Sequence, residues 1–376
     1  MAGQLLMAHG ESNFVGDQLR LARLVNGLSL EQVASAVGAT RQYIHQLETG
    51  SRNPTGELVE ALADVLGVQA AFLHSIEANG VRPEQCHFRK QQTTPASVTS
   101  QVLARGTMLD RFAYALEREL SLPKVNFPDI PVRDLEDAEV AANKARQHWG
   151  LGADGPITSM MRVVENAGAI VTYFNGLSER VDALSMDRPR PIIVRSDAKA
   201  SLCRQRFDLA HECGHLVMHR GVETGDKTTE DQAHRFASAF LLPRAAFIRE
   251  FPRGRSMNWA ELFKMKLRWK VAVRAIIRRA FDLGMIDAAQ YRTANIQLVK
   301  TGQAKAERYD DQLPLEDPEL LDAALRALDA GRPGGMRNLA DSLALRAPMF
   351  ELITGRPLSP PPPPIGDPKI VPLNRS

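Results

Sequence analysis

The chain has 376 residues, of which 44% are hydrophobic and 24% charged, values typical of a folded protein with two or three domains. Its formal net charge is only +3, so any nucleic-acid-binding surface has to be argued from a local patch. Three scattered cysteines cannot form a disulfide framework, which favours a reducing compartment, and we expect a cytoplasmic protein. The first residues lack a signal-peptide pattern, and no stretch approaches about 18 consecutive apolar residues, which argues against secretion and membrane partners.

Residues 17–78 have the pattern of several short helices, and we take residues 1–16 as a flexible N-terminus. The amphipathic segment DQLRLARLVNG ends at Gly27. Ser29 can cap a second helix, and Gly38 allows a tight turn before Thr40 caps a third. Two helices joined in this way predict a helix-turn-helix.

The helix after Thr40 is the candidate reading helix. If Ile44 and Leu47 are buried, its outward positions fall among a polar set. Arginine and glutamine are suited to guanine and adenine edges in the major groove of double-stranded DNA. The polar set consists of Arg41, Gln42, Tyr43, His45 and Gln46.

This region resembles the XRE family of repressor-type helix-turn-helix domains, and the likeness includes an E-x-G-x-R-x-P element that begins at Glu48. The resemblance implies an all-α domain of five helices at 17–78 that binds double-stranded DNA. It places Arg41, Gln42 and Tyr43 near bases and Arg52 near phosphate. Because such domains often bind paired half-sites, a homodimer is an expected state. The alternative is a helical module that packs only against protein.

The middle of the chain mixes helical and extended patterns. Residues 79–133 read as a connecting arm with a helix near 101–120, and helical patterns return at 134–150 and after Pro156. The segments AIVTYFNG and PIIVRS are short, β-branched and bounded by turn residues, so we expect strands. Helices then dominate to about residue 300, and a last helix is expected near 318–330. The fold class predicted is α+β, mostly helical.

The run HECGH at 211–215 is the strongest chemical motif. On a helix, His211 and His215 stack on one face at a spacing suited to one tetrahedral metal ion. Glu212 beside them is the candidate catalytic base that polarises a water molecule. The surrounding segment is apolar, as expected for a helix buried beneath a cleft.

A two-histidine site needs a third protein ligand, and the segment TTEDQAHRFASAFLLP offers one. Glu230 lies in the first turn of the predicted helix and is our choice. The neighbouring Asp231 begins on another face, and the amide of Gln232 is a poorer zinc ligand than a carboxylate. His219 and His234 are candidates for groups that contact the ligands or the substrate.

These motifs, RQRFDLAHECGHLVMH followed by E-x-x-A-x-x-F-A-x-x-L-L-x-P, resemble the ImmA/IrrE family of metallopeptidases, as do HFRK at 87–90 and VDALSM at 181–186. The resemblance implies a gluzincin-like domain with a small sheet, zinc (with Mn²⁺ as an alternative), Glu212 as catalyst and Glu230 as third ligand. Many members carry glutamate where this chain has Gln232. We expect the peptidase domain at 134–255, a helical C-terminal domain at 256–335, and a tail at 336–376 that is proline-rich and disordered at its end.

The two resemblances together predict a regulatory endopeptidase. Members of the resembled family cut a protein repressor or an antitoxin-like partner in stress response or mobile-element control. A second hypothesis is a transcription regulator whose peptidase-like domain senses a ligand or metal without cleaving. A third is an antitoxin of a two-gene module. Because both histidines and Glu212 of HECGH are present, the motif favours the enzyme.

Overall fold

A computed structural model describes residues 14–75, 80–82, 85–88, 95–174, 183–195, 201–254 and 256–358. These residues form sixteen α-helices and one four-stranded sheet, which confirms the predicted α+β, mostly helical class. Most of the predicted flexible N-terminus and the proline-rich end of the predicted tail lie outside the described residues. Among the helices described, none combines the length and the apolar character needed to cross a membrane.

The N-terminal module consists of four α-helices and a 3₁₀ helix. Ser29 and Thr40 cap the second and third helices through their side chains, as predicted. A positive φ of 66° at Gly38 makes the turn between these two helices. The bounds are α1 Gly16–Val25, α2 Leu30–Ala36, α3 Arg41–Glu48, α4 Gly56–Leu66 and the 3₁₀ helix Ala70–His74.

A long helix, α5 (Ala96–Glu119), packs against α1 within the predicted connecting arm. The expected helix near 101–120 is therefore present and begins earlier. Arg105 of α5 is 4% exposed and donates to the carbonyl of Val25 at the end of α1, 3.1 Å away. The arm is thus joined to the N-terminal module by a buried polar contact as well as by apolar packing.

The sheet lies between two apolar cores. Its order is β1-β3-β4-β2, with β2 and β4 parallel and the other pairs antiparallel. Leu184 and Val194 face the core of the N-terminal module, whereas Val171 and Ile193 face the core around the HECGH helix. The predicted strands β2 and β4 are confirmed. The strands are β1 Cys86–Phe88, β2 Ile170–Tyr173, β3 Ala183–Met186 and β4 Ile192–Arg195.

Helices surround the sheet on the side of the second core. The HECGH helix, α8, packs most extensively against α9, which also packs against α6. Asp226 begins α9 by accepting from the backbone N–H groups of Thr228 and Thr229. The bounds are α6 Leu135–His148, α7 Met160–Asn166, α8 Leu202–Met218, α9 Lys227–Leu241, α10 Arg244–Glu250, α11 Trp259–Trp269, α12 Val273–Asp282 and α13 Ala288–Lys300.

The chain returns to the N-terminal module through three further helices, α14 (Leu320–Gly331), α15 (Gly335–Ser342) and α16 (Ala347–Thr354). The helix near 318–330 is confirmed, but a tail beginning at residue 336 is wrong. Both α15 and α16 are only eight residues long, too short for a clear apolar period. Their apolar side chains join the N-terminal core, and a β-bridge links Leu345 to Val68. Tertiary contacts therefore stabilise α15 and α16, two helices that the sequence pattern does not predict.

Candidate metal centre and DNA-reading helix

Helix α8 presents both histidines of HECGH on one face. His211 and His215 are separated by one helical turn, and their Nε2 atoms lie 3.2 Å apart. The residues are 7% and 1% exposed, so both polar rings are buried. Buried imidazoles whose ring nitrogens face each other are typical of a metal site rather than of a packed core.

Glu230 in the first turn of α9 faces the same point. Its carboxylate oxygens lie 3.5 Å from Nε2 of His211 and 3.6 Å from Nε2 of His215. Tetrahedral zinc with bonds of about 2.1 Å places its ligand atoms about 3.4 Å apart. The observed separations match that value, so the two imidazoles and the carboxylate fit zinc without a change in backbone.

The protonation states suit cation binding as well. Burial lowers the pKa of His215 to about 3, which leaves its imidazole neutral at pH 7. Burial alone would raise the pKa of Glu230, but the adjacent imidazoles of His211 and His215 hold it well below its usual value. A neutral imidazole and an ionised carboxylate are the forms that bind metal.

Glu212 is adjacent to His211 in α8, and its side chain forms a hydrogen bond with strand β3. Glu212 is 3% exposed, and its Oε2 accepts a hydrogen bond of 2.7 Å from the hydroxyl of Ser185 in β3. Ser185 is fully buried. We did not single out Ser185 from sequence, although one polar residue between the buried Leu184 and Met186 is a visible signal.

His215 has neighbours on several sides. The ring of His87 in β1 stacks on it, with centroids 5.1 Å apart and planes at 9°. His87 is 2% exposed, and its Nδ1 is 3.0 Å from the hydroxyl of Thr224. Burial and the nearby His215 and His219 lower the pKa of His87 to about 3. The segment HFRK contains His87, but the sequence did not indicate its contact with His215.

The remaining predicted neighbours have distinct positions. His219 follows His215 by one turn and is 3% exposed, while the ring of His234 lies 4.5 Å from that of His211. Gln232 is 4% exposed and contacts His219, outside the group formed by His211, His215 and Glu230. Asp231 is exposed on another face of α9.

In the N-terminal module, α3 has the amphipathic arrangement expected of a reading helix. Ile44 and Leu47 are fully buried, as the sequence requires. The opposite surface forms a shallow concave face lined by Arg41, Gln42, His45, Gln46, Thr49 and Ser51. Arg41 and Gln42 are exposed in the first turn, the part of a recognition helix that contacts bases.

Two residues of the E-x-G-x-R-x-P element, Glu48 and Arg52, make contacts at this helix. Glu48 accepts two hydrogen bonds, of 2.6 Å and 2.9 Å, from the guanidinium of Arg23 in α1. Tyr43 is half-buried, and its hydroxyl is 3.4 Å from the carbonyl oxygen of Asn53. The exposed guanidinium of Arg52 lies 5.9 Å from the centre of the Tyr43 ring. Arg52 therefore lies beside the reading helix with its guanidinium exposed, as a contact with DNA phosphate requires.

Comparison with protein families gives two matches. A helix-turn-helix domain model matches residues 15–73, which contain α1 to α4 and all but the last residue of the 3₁₀ helix. The M78 peptidase model, described as an IrrE N-terminal-like domain, matches residues 164–280, which contain the HECGH helix and Glu230. No curated protein shows significant similarity to the chain. The chain therefore joins an XRE-type helix-turn-helix domain to an IrrE-like domain of the M78 peptidase family.

Proposed function

We propose that this protein is a DNA-binding regulatory zinc metallo-endopeptidase that cleaves a protein repressor or an antitoxin-like partner in stress response or mobile-element control. The observation that carries the proposal is the convergence of His211, His215 and Glu230 beside the carboxylate of Glu212. A core histidine pair would not need an acidic group from a separate helix at ligand distance. The M78 match supports peptide-bond hydrolysis as the reaction.

The chemistry follows from the positions of the side chains. Zinc held by the three ligands would supply Lewis-acid polarisation of a peptide carbonyl and lower the pKa of a water molecule. Glu212 accepts the proton of that water and transfers it to the leaving amine. Ser185 orients the carboxylate of Glu212 by donating a hydrogen bond to its Oε2.

The helix-turn-helix domain narrows the range of expected substrates. When a peptidase and a DNA-reading module share one chain, binding of the module to an operator places the peptidase close to other proteins bound there. The effective concentration of those proteins at the peptidase is therefore high. A repressor or antitoxin-like protein is such a substrate. Arg41, Gln42, Tyr43, Gln46 and Arg52 are the proposed DNA contacts, and the paired half-sites of related domains support a homodimer on DNA.

The decisive experiment compares wild type with Glu212→Gln. Bound zinc is measured by elemental analysis, and cleavage of a repressor protein offered as substrate is followed by mass spectrometry. We expect equal zinc content and loss of turnover in the variant. The matched control is Glu223→Gln, which changes an exposed glutamate and should cleave normally. Equal cleavage by Glu212→Gln and wild type, or a wild type without zinc, would contradict the proposal.

A second function, metal or ligand sensing without proteolysis, is supported by one structural feature. Apolar residues of the N-terminal module, α5, α14 to α16 and one face of the sheet share a continuous core. A change in the metal centre could therefore alter the reading helix through β3. Measuring operator affinity with and without zinc distinguishes the functions, because a sensor changes affinity even in Glu212→Gln and cleaves no partner.

A further inference from the structure

The side of His215 that faces away from Glu230 takes part in a chain of buried polar contacts. Nδ1 of His215 lies 2.9 Å from Nδ1 of His219, and Nε2 of His219 lies 2.9 Å from Oε1 of Gln232. The three residues are 1%, 3% and 4% exposed. We name these contacts the Gln232 chain. It runs from α9 back to α8 behind the metal centre.

Gln232 lies at one end of the Gln232 chain and determines which atom donates and which accepts in each hydrogen bond. Because the amide oxygen of Gln232 can only accept, Nε2 of His219 must carry the proton. A neutral imidazole has one ring proton, so Nδ1 of His219 is left with a lone pair. The hydrogen bond between the two Nδ1 atoms is then donated by His215.

This order of protons determines what His215 presents to a metal. With its proton on Nδ1, His215 directs the bare lone pair of Nε2 toward His211 and Glu230. The opposite amide orientation would reverse every donor and place a proton on Nε2, where the metal bond has to form. Stacking by His87 limits rotation of the same ring.

We propose that Gln232 is a positioning residue that acts through His219 to hold the proton of His215 on Nδ1 and so prepares Nε2 for zinc. The inference rests on the proposed zinc centre and adds to it. Hydrogen bonds to the outer nitrogen of a ligating histidine fix its tautomer and orientation, and their loss typically weakens metal binding about 10-fold to 100-fold. Gln232 lies two residues after Glu230, so one helix supplies both a ligand and this acceptor.

The test uses three variants of the full chain. Gln232→Leu removes the acceptor, whereas Gln232→Glu keeps an acceptor that cannot donate when ionised. Gln205→Leu is the matched control, since Gln205 is 5% exposed on α8 and lies outside the Gln232 chain. Zinc affinity is measured by competition with a chelating dye. Long-range ¹H–¹⁵N NMR of wild type, metal-free and zinc-loaded, reports which ring nitrogens are protonated.

We expect Gln232→Leu to bind zinc about 10-fold to 100-fold more weakly, with Gln232→Glu and Gln205→Leu within about threefold of wild type. In zinc-loaded wild type, His219 should carry its proton on Nε2 and His215 on Nδ1. If wild type binds zinc and Gln232→Leu binds as tightly, the role of Gln232 is excluded while the metal centre stands.

Two further outcomes are decisive. A proton on Nδ1 of His219 in wild type would overturn the inference even if Gln232→Leu failed to fold. Wild type that binds no zinc would contradict the proposed metal centre instead. The His219 tautomer in metal-free protein would then decide the direction of the Gln232 chain by itself.

Discussion

The hydroxyl of Ser185 donates to the carboxylate of Glu212 across 2.7 Å, and this contact joins strand β3 to the proposed catalytic base. Both residues are buried, so the bond is protected from water. A hydrogen bond to a charged group contributes about 1.5 to 3 kcal/mol when it is protected in this way. The contact therefore holds the base in one orientation relative to the metal centre.

Ser185→Ala should lower the rate of peptide cleavage about tenfold and leave zinc affinity unchanged, because a loss near 1.4 kcal/mol corresponds to a factor of ten. Single-turnover cleavage and zinc competition measure the two quantities. Thr172→Val is the control, since it removes a hydroxyl from a 5% exposed residue in β2, which does not pair with β3. A matching loss of zinc in Ser185→Ala would show that the serine supports the ligands and not the base.

The origin of this contact shows what the sequence could predict. His211 and His215 are one helical turn apart and Glu212 is adjacent to His211, so the spacing alone predicts that the two histidines share a face. Ser185 and His87 come from β3 and β1, and their approach to α8 depends on the order β1-β3-β4-β2. Local spacing carries no information on that order, because β1 and β3 are almost a hundred residues apart in the chain.

The C-terminal helices show the same limit. The pattern of α14 is regular enough to predict a helix, and it was confirmed. The short α15 and α16 are completed by the distant N-terminal module, where Arg346 donates to the carbonyl of Gly67 through its backbone N–H, 3.0 Å away. The apolar side of such helices becomes apparent only when their partner is known.

Glu230 should be the acidic residue on which zinc binding depends. We expect Glu230→Ala to weaken zinc affinity by more than about 100-fold, because loss of a ligand costs more than loss of an outer contact. Asp231→Ala is the matched control and should remain within about threefold, since Asp231 is exposed and outside the ligand group. Competition with a chelating dye measures both. Equal losses in the two variants would mean that α9 has a different register.

Gly214 should be required for the close packing of α8 and α9. A Cβ at this position would lie 2.9 Å from Cδ1 and 3.1 Å from Cγ of Phe236. Gly214→Ala should lower the free energy of unfolding by about 1 to 3 kcal/mol through overpacking, despite the better helix propensity of alanine. Because α9 carries Glu230, zinc affinity should fall as well.

Urea unfolding and zinc competition test this prediction. Gly155→Ala serves as the control, because a Cβ there meets no atom within 4 Å. Adding Phe236→Leu to Gly214→Ala should recover part of the zinc affinity. If Gly214→Ala were as stable as wild type and bound zinc equally well, the contact with Phe236 would not limit the approach of the two helices.

Glu165 should make stability depend on pH. Burial raises the pKa of its carboxyl to about 7 from an ordinary value of 4.5, against the opposing hydrogen bonds from the backbone N–H groups of Leu320 and Glu319. Between these two values the folded state binds more protons than the unfolded state. The contribution of Glu165 to the free energy of unfolding therefore falls as pH rises from 4.5 through 7.

Glu165→Gln stays neutral and keeps an amide oxygen that can accept from α14. We expect its free energy of unfolding relative to wild type to increase from pH 5 to pH 8, measured by urea unfolding at several pH values. Glu223→Gln, at an exposed position, should show no such change. A constant difference between Glu165→Gln and wild type across this window would contradict a raised pKa in the folded protein.

Gln42 and Arg52 should make different kinds of DNA contact, the first specific for sequence and the second nonspecific. Gln42→Ala removes a side chain from the first turn of α3, and we expect a loss of about 1 to 3 kcal/mol on an operator selected from random-sequence DNA, with little change on unrelated DNA. Arg52→Ala should weaken binding to both sequences and reduce the slope of log affinity against log salt by about 1. Titrations of both DNAs at several salt concentrations measure these effects.

Arg20→Ala is the control for Arg52→Ala, because Arg20 is an exposed arginine of α1 away from the concave face of α3. It should change neither the affinity nor the salt slope appreciably. An equal loss on both DNAs for Gln42→Ala would mean that Gln42 contacts the backbone of the duplex and not a base. If neither Gln42→Ala nor Arg52→Ala changed DNA affinity, the module would use its α3 surface for a protein partner, which is the alternative that the small net charge of the whole chain leaves open.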